Sequence, residues 1–306
     1  MELEVVKLHG LGNDFIFIDD LSHEIDLTPE QVAWLCDRHF GIGGDGVILV
    51  RPSEKSDCVA YMHYINSDGT LAQMCGNGVR CFAKYLVDRG HVSEADSFTV
   101  ETLAGPRTID YETDANGKLT LATVDMGEPI LEPAQVPTTI EANATAVDTP
   151  CVLDSPLSSP YGTFDFSCVS MGNPHAVCFI EDMDALPDEL FADAARKTLE
   201  TLRIDEVGAF FEGHEAFPEK ANIEFATVTD DGLAMRVFER GCGETLACGT
   251  GTCATAVAAA LTNRAGRETD VALKGGTLHI HYADDGHVYM TGPAEEVFAG
   301  IVALPE

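Results

Sequence analysis

A chain of 306 residues, 45% of them hydrophobic, can build one large core or two ordinary ones, and usual domain sizes favour two. Its longest apolar run, 256–261, is too short to cross a bilayer, and no basic patch precedes an apolar leader, so a soluble cytoplasmic protein without a membrane partner is expected. Against 51 acidic residues stand 18 basic ones, a net charge of −33 that excludes the cationic surface needed for nucleic acid.

The charge fits a salt-rich cytoplasm, a halophilic adaptation in which counterions screen the self-repulsion. An acidic docking surface is the alternative, but the acids are spread along the whole chain rather than gathered in a tail. Ten cysteines lie scattered in apolar surroundings, without the spacing of a small disulfide framework, which points to a reducing compartment.

In chain order, Gly12-Asn13-Asp14 is a turn before a strand over 15–19, and Thr28-Pro29-Glu30-Gln31 has the form of a capping box opening a helix. The glycines of Gly43-Gly44-Asp45-Gly46 suggest a phosphate loop, but no lysine follows and a strand over 47–50 does, so the stretch reads as a turn. A hairpin over 58–64 leads to Met74-Cys75-Gly76-Asn77-Gly78, the start of a helix whose 79–87 portion reads as apolar on nearly all sides. A glycine corner at Gly105 follows. The proline- and threonine-rich tract 128–160 reads as a boundary with an irregular connection.

The same landmarks then return in the same order. Gly172-Asn173-Pro174-His175 precedes a strand over 176–180, and Pro187 opens a helix expected over 188–202. A hairpin over 233–238 leads to Ala247-Cys248-Gly249-Thr250-Gly251, a helix over 253–261 and a glycine corner at Gly275-Gly276. This is a duplication. The expected fold is α/β, with two pseudo-symmetric domains, each of mostly antiparallel strands wrapped around a central apolar helix. The first domain is expected to span 1–126 plus a C-terminal strand at about 293–306 and to carry Cys75; the second, 127–292, carries Cys248.

If the halves face each other about a pseudo-twofold axis, each cysteine-glycine turn aims a helix N-terminus into one cleft. Such an end favours anions and lowers a thiol pKa, and glycine lets the backbone come close. Two thiols on opposite sides of one carboxylate-bearing carbon make a stereoinversion device: one thiolate removes the α-proton and the opposite thiol delivers another. Neither metal nor cofactor is required. The spacings among Cys75, Cys81, Cys242, Cys248 and Cys253 are not those of zinc knuckles, and a disulfide between Cys75 and Cys248 would be an inactive oxidised form. The remaining five, Cys36, Cys58, Cys151, Cys168 and Cys178, read as small core hydrophobes.

Over nearly its whole length the chain resembles the diaminopimelate epimerases. The resemblance is carried by the segments 9–15, Asn66-Ser67-Asp68-Gly69, 74–81, Gly172-Asn173-Pro174-His175, Asn222-Ile223-Glu224-Phe225 and 239–251. It implies interconversion of LL- and meso-diaminopimelate, without a cofactor, in lysine biosynthesis. By the same resemblance Cys75 and Cys248 are the catalytic pair, with His175 and Glu239 as their proton partners. Gly76, Asn77, Gly249 and Thr250 hold the reacting carboxylate through their amides. Asn13, Asn66, Asn173, Asn222, Glu239 and Arg240 bind substrate, the guanidinium suiting a distal carboxylate and Glu239 a distal ammonium. Two departures stand out. Gly46 replaces a substrate-contacting glutamine of many members, and Phe298 replaces a tyrosine some members use at the subunit contact of a homodimer.

The nearest rival is a proline or hydroxyproline racemase of the same fold. Those enzymes typically have histidine where Asn77 stands and aspartate where Leu246 stands, and Arg240 argues for a second substrate carboxylate. A non-catalytic or redox-sensing relative is the rival from another class.

Overall fold

The computed structural model describes residues 1–92 and 96–305, a mixed α/β fold dominated by strands. The chain divides into two compact units, Met1–Asp125 with Thr291–Glu306, and Met126–Met290. Among the described residues no helix is long and apolar enough to cross a membrane.

The first unit runs β1 (Glu2–Gly10), β2 (Asn13–Asp19), α1 (Pro29–Cys36), β3 (Gly46–Arg51), β4 (Tyr61–Asn66), α2 (Gly76–Asp88), β5 (Ser97–Thr102), β6 (Gly105–Thr113) and β7 (Leu119–Asp125). The capping box at Thr28 forms: Gln31 N–H donates to Thr28 Oγ1, and Thr28 N–H donates to Gln31 Oε1 at 3.0 Å. Alternation along β2 sends Ile16 and Ile18 to one face, where Val32 and Leu35 of α1 cover them. Phe17 points the other way and stacks on Phe82 and Tyr85 of α2. The sheet is thereby buried on both faces.

The second unit begins with the small hairpin β8 (Ala144–Ala146) and β9 (Thr149–Cys151), then β10 (Ser155–Ser159), β11 (Gly162–Ser170) and β12 (Pro174–Phe179). It continues through α3 (Ile204–Glu212), β13 (Asn222–Thr229), β14 (Gly232–Glu239), the short β15 (Gly243–Glu244), α4 (Gly249–Leu261), β16 (Glu268–Leu273), β17 (Gly276–Tyr282) and β18 (Val288–Gly292). Phe164, Phe166, Phe211 and Phe225 form an aromatic core in which the Phe166 and Phe211 rings meet edge-on at 4.7 Å. The last strand, β19 (Glu295–Ala303), belongs to the first unit, pairs antiparallel with β1 and is largely exposed.

The two units repeat one pairing scheme. β1–β2 and β11–β12 are antiparallel, β2–β3 and β12–β13 parallel, and β3–β4 and β13–β14 antiparallel. After the helix, β4–β5 and β14–β16 are parallel, and β5–β6 and β16–β17 antiparallel. Register extends the match to single residues. Phe15 pairs with Gly46 as His175 pairs with Asn222, which makes Phe15 the counterpart of His175 and Gly46 that of Asn222.

Three sequence expectations need correction. The helix over 188–202 does not form; a short 3-10 turn, Asp188–Leu190, stands there, and the helix comes later as α3. Arg236 explains why: its Nη1 takes the carbonyl oxygens of Leu199 and Leu202, each at 2.6 Å, while Thr201 Oγ1 donates to Arg196 O. Those carbonyls are drawn away from a helical ladder. The α2 helix is buried but not apolar all round, because Arg80 and Lys84 are inside, with Lys84 Nζ donating to Leu119 O at 2.7 Å. The 128–160 tract follows the division between the units and is irregular up to the β8–β9 hairpin, with Leu131, Val136 and Val152 buried in the second unit. Cys58 is only half-buried, on an irregular stretch before β4, rather than a core side chain.

Candidate active site

In the first unit, Cys75 caps the N-terminus of α2 in an extended conformation, and the helical ladder starts with Val79 N–H donating to Cys75 O at 2.8 Å. Gly76 and Asn77 are therefore first-turn residues, at the positive end of the helix dipole. A Cβ added at Gly78 would meet the far end of the Met62 side chain, Cε, at 2.8 Å.

Asn13, in the turn whose Gly12 adopts φ 88°, reaches this helix start. Its Oδ1 accepts from Asn77 Nδ2 at 3.1 Å and from Cys75 Sγ at 3.5 Å. The amide is oriented by Asp45, whose Oδ2 accepts from Asn13 Nδ2 at 2.6 Å. Behind it Arg38 makes a fork to Asp14, at 2.9 and 2.7 Å, and also binds Asp45 at 2.7 Å. Burial pushes the Asp14 carboxyl up, but Arg38 and Lys7 outweigh it and hold the carboxyl down at about 2. Fully buried Arg80 supports Asn77 from beneath, with Nη2 donating to its Oδ1 at 2.9 Å.

Not every expected residue joins this cluster. Asn66, the last residue of β4, is turned to its own loop, with Nδ2 donating to Thr70 Oγ1 at 3.1 Å. Gly46 starts β3 opposite Asn66, and a side chain there would meet Tyr64 Cε2 at 2.5 Å and Ile65 O at 2.6 Å. Phe298 lies on β19, 42% exposed.

In the second unit, Cys248 caps α4 in the same way, the ladder starting with Thr252 N–H donating to Cys248 O at 2.9 Å. Gly249 and Thr250 form its first turn, with Thr250 Oγ1 at 3.5 Å from the thiol. The Cys248 thiol is driven well above its ordinary value by burial, then by the acidic side chains of Glu239 and Glu224 nearby, against the lesser help of Thr250 and the Gly251 amide.

Glu239 ends β14 and accepts from Thr245 Oγ1 at 2.5 Å. Asn222 bridges two strands, giving Nδ2 to Pro174 O at 2.8 Å and accepting the Arg240 amide at 2.9 Å. The Arg240 side chain lies at the surface, with Nη1 on Glu219 O at 3.1 Å. His175 is fully buried; its Nε2 lies 3.0 Å from Asn173 Oδ1 and its Nδ1 2.6 Å from Glu224 Oε1.

Sequence reasoning missed Asp45, Arg38, Arg80, Thr245 and Glu224 as members of these clusters. Glu224 had a signal, an acid in the middle of an otherwise apolar strand, Asn222-Ile223-Glu224-Phe225. The others become visible only when the chain is folded. Among the described residues no group of three or more His, Cys, Asp or Glu side chains is placed to hold a metal ion.

What this arrangement can do chemically is set by two thiols, each at a helix start lined with amides, one beside an asparagine network and one beside carboxylates. Known proteins share both the pattern and the fold. The family model described as diaminopimelate epimerase matches residues 5–132 and 167–297. The diaminopimelate epimerase of Leptospira biflexa is 43% identical over 99% of this chain and 100% of its own length. That of Desulfitobacterium hafniense is 45% identical over 98% of each. Among solved structures, the hydroxyproline epimerase of Agrobacterium vitis aligns with a TM-score of 0.67 at 15% identity, covering 100% of this chain and 93% of that one. A Bacillus anthracis phenazine biosynthesis protein aligns with a TM-score of 0.64 at 17% identity, over 99% and 100%. These two share the fold alone. With the family model spanning both cysteine turns and relatives alike from end to end, this chain belongs to the diaminopimelate epimerase family.

Proposed function

We propose that this chain is an isomerase that interconverts LL- and meso-diaminopimelate, in lysine biosynthesis, with Cys75 and Cys248 as its two acid/base groups. The observation that carries the reading is the repetition of one cysteine-capped helix start in two units of equal strand order, in a chain of this family. One thiolate takes the α-proton, the electron pair left on carbon spreads into the carboxylate, and the other thiol returns a proton to the opposite face. First-turn amides of Gly76, Asn77, Gly249 and Thr250 stabilise the charge as it moves onto the carboxylate oxygens. His175 and Glu239 act as proton partners of the thiols. Asn13, Asn66, Asn173, Asn222, Glu239 and Arg240 bind the substrate, with Arg240 free to swing from the surface onto a distal carboxylate. The thiols suffice without metal or pyridoxal.

Three further parts of the reading belong with it. The two units act as the N- and C-terminal epimerase halves. The charge of −33 marks a protein adapted to a salt-rich cytoplasm. The exposed apolar side chains of Val297, Phe298 and Ile301 on β19 support a homodimer, which sedimentation in potassium chloride tests by mass.

The activity test follows the α-proton by NMR in D2O, with reduced protein in concentrated potassium chloride. Exchange with LL-diaminopimelate and none with L-proline is expected; exchange with proline alone would overturn the substrate assignment.

A further inference from the structure

The duplication makes one difference between the units conspicuous. The register that pairs Phe15 with Gly46 also pairs Phe17 with Ile48, and the one that pairs His175 with Asn222 also pairs Val177 with Glu224. Glu224 is thus the counterpart of Ile48, just as His175 is that of Phe15. Where the first unit places two apolar side chains, the second buries an acid and a base in contact. Both positions also lie under the cysteine turn. A Cβ on Gly78 would find Ile48 Cδ1 at 3.5 Å, and one on Gly251 would find Glu224 Oε1 at 2.6 Å with Cys248 Sγ at 3.3 Å.

A buried acid is expensive unless it does something that an isoleucine cannot. Here both side chains have zero exposure, Glu224 Oε1 lies 2.6 Å from His175 Nδ1, and Glu224 Oε2 accepts no hydrogen bond among the described residues. An ionised carboxylate would leave a buried anionic oxygen bare, whereas a neutral carboxyl leaves only a carbonyl oxygen. Asn173 Oδ1, 3.0 Å from Nε2, accepts a proton held there. The titratable groups around Glu224 are His175 on β12, Glu239 on β14 and Cys248 before α4; burial and the Glu239 charge push its carboxyl up, and His175 works against them.

We propose that Glu224 is a positioning residue that shares one proton with His175, holding the imidazole as the Nε2–H tautomer and re-supplying its ring when Nε2 gives up a proton. In that step Nε2–H passes its proton to the reacting partner, Oε1–H passes its own to Nδ1, and the pair is left as carboxylate plus neutral imidazole. The reverse step takes one proton back at Nε2 and returns the other to Oε1. The inference rests on the reading of His175 as a proton partner in the epimerase, and it gives the second half a relay that the first half lacks.

The test uses the full chain in potassium chloride. In Glu224→Gln the amide still donates to Nδ1 but cannot pass a proton, so kcat for both substrate directions falls by about 10²-fold while KM stays within about twofold. The pH profile of kcat also loses the limb that the pair contributes. Wild-type kcat and an unchanged profile in folded Glu224→Gln would overturn the proposal. A second measurement does not depend on any variant. Nitrogen-15 NMR of the wild-type His175 ring near neutral pH should give Nε2 protonated and Nδ1 as the acceptor; an Nδ1–H tautomer or an imidazolium would overturn it. If instead the wild-type chain does not exchange the α-proton of diaminopimelate at all, the functional reading fails, and the ring nitrogens still report on the shared proton.

Discussion

Gly78 and Gly251 hold the same place in the two cysteine turns, yet alanine meets a different neighbour at each. At Gly78 the added Cβ lies 2.8 Å from Met62 Cε, the far end of an unbranched chain that swings aside readily. Replacing a helical glycine recovers up to about 1 kcal/mol of propensity, so Gly78→Ala should fall within about 1 kcal/mol of the parent. At Gly251 the added Cβ lies 2.6 Å from Glu224 Oε1, against an ordinary contact of roughly 3.5 Å, so the carboxyl must retreat by about 1 Å. It cannot do so and keep His175 Nδ1 at 2.6 Å. Overpacking of a core typically costs about 1–3 kcal/mol, and breaking a buried hydrogen bond about as much. Less the helix gain of about 1 kcal/mol, Gly251→Ala should lose about 1–5 kcal/mol, and its Tm should drop by roughly 2–20 °C for a unit of this size. Scanning calorimetry in potassium chloride, run beside the α-proton assay, reads both. Equal melting points and equal activity in the two variants would refute the claim that Glu224 is pinned against the Cys248 turn.

Asp14 gives a pH prediction: held at about 2 in the folded chain against its ordinary 3.8, its carboxylate adds stability above pH 4 that drains away as pH falls through about 2. With water reaching Arg38, the contribution is on the order of 1–2 kcal/mol, and urea titrations of Asp14→Asn against the parent should converge near pH 2. Convergence at pH 4 or above would contradict it. The charge of −33 predicts that Tm climbs steadily as potassium chloride rises from about 0.1 to 2 M; a flat or falling curve would remove the halophilic reading. Burial with Glu239 and Glu224 nearby keeps the Cys248 thiol protonated, so its alkylation by iodoacetamide should stay slow at pH 8 and keep rising past the ordinary value of 9. A plateau below pH 9, followed by peptide mass spectrometry, would show that neighbouring amides win over burial.

Much of this was legible in the chain itself. The repeat of Gly-Asn turn, cysteine turn and glycine corner located both helix starts, because glycine at φ 88° at Gly12 and 94° at Gly172 leaves a mark that folding does not alter. The capping box at Thr28 was readable for the same reason: its two hydrogen bonds are local. The helix over 188–202 was misread because what prevents it is distant. Arg236, a strand residue, claims the carbonyls of Leu199 and Leu202, and no local pattern announces that. The polar lining of α2 was overlooked likewise, since Lys84 finds its acceptor at Leu119 only in the fold. The site divides along the same line. Asn13 and the cysteines are motif residues, while Asp45 and Arg38, which orient Asn13, are known only from their contacts. Glu224 lay inside a quoted motif, and only the register shows it to be the counterpart of Ile48 in the duplicated scheme.

The two thiols stand in unlike surroundings, with Asn66 at the end of β4 in the first unit and Glu239 at the end of the equivalent strand β14 in the second. Division of labour between the two is therefore the claim to test: Cys75 serves the LL direction and Cys248 the meso direction. The most direct measurement takes Cys75→Ala and Cys248→Ala, each folded and reduced, and follows deuterium incorporation from D2O into LL- and meso-diaminopimelate separately. Inversion should be lost in both variants, with residual exchange confined to the meso substrate in Cys75→Ala and to the LL substrate in Cys248→Ala. Full inversion surviving either substitution would contradict the two-thiol mechanism, and the opposite pattern of residual exchange would reverse the assignment.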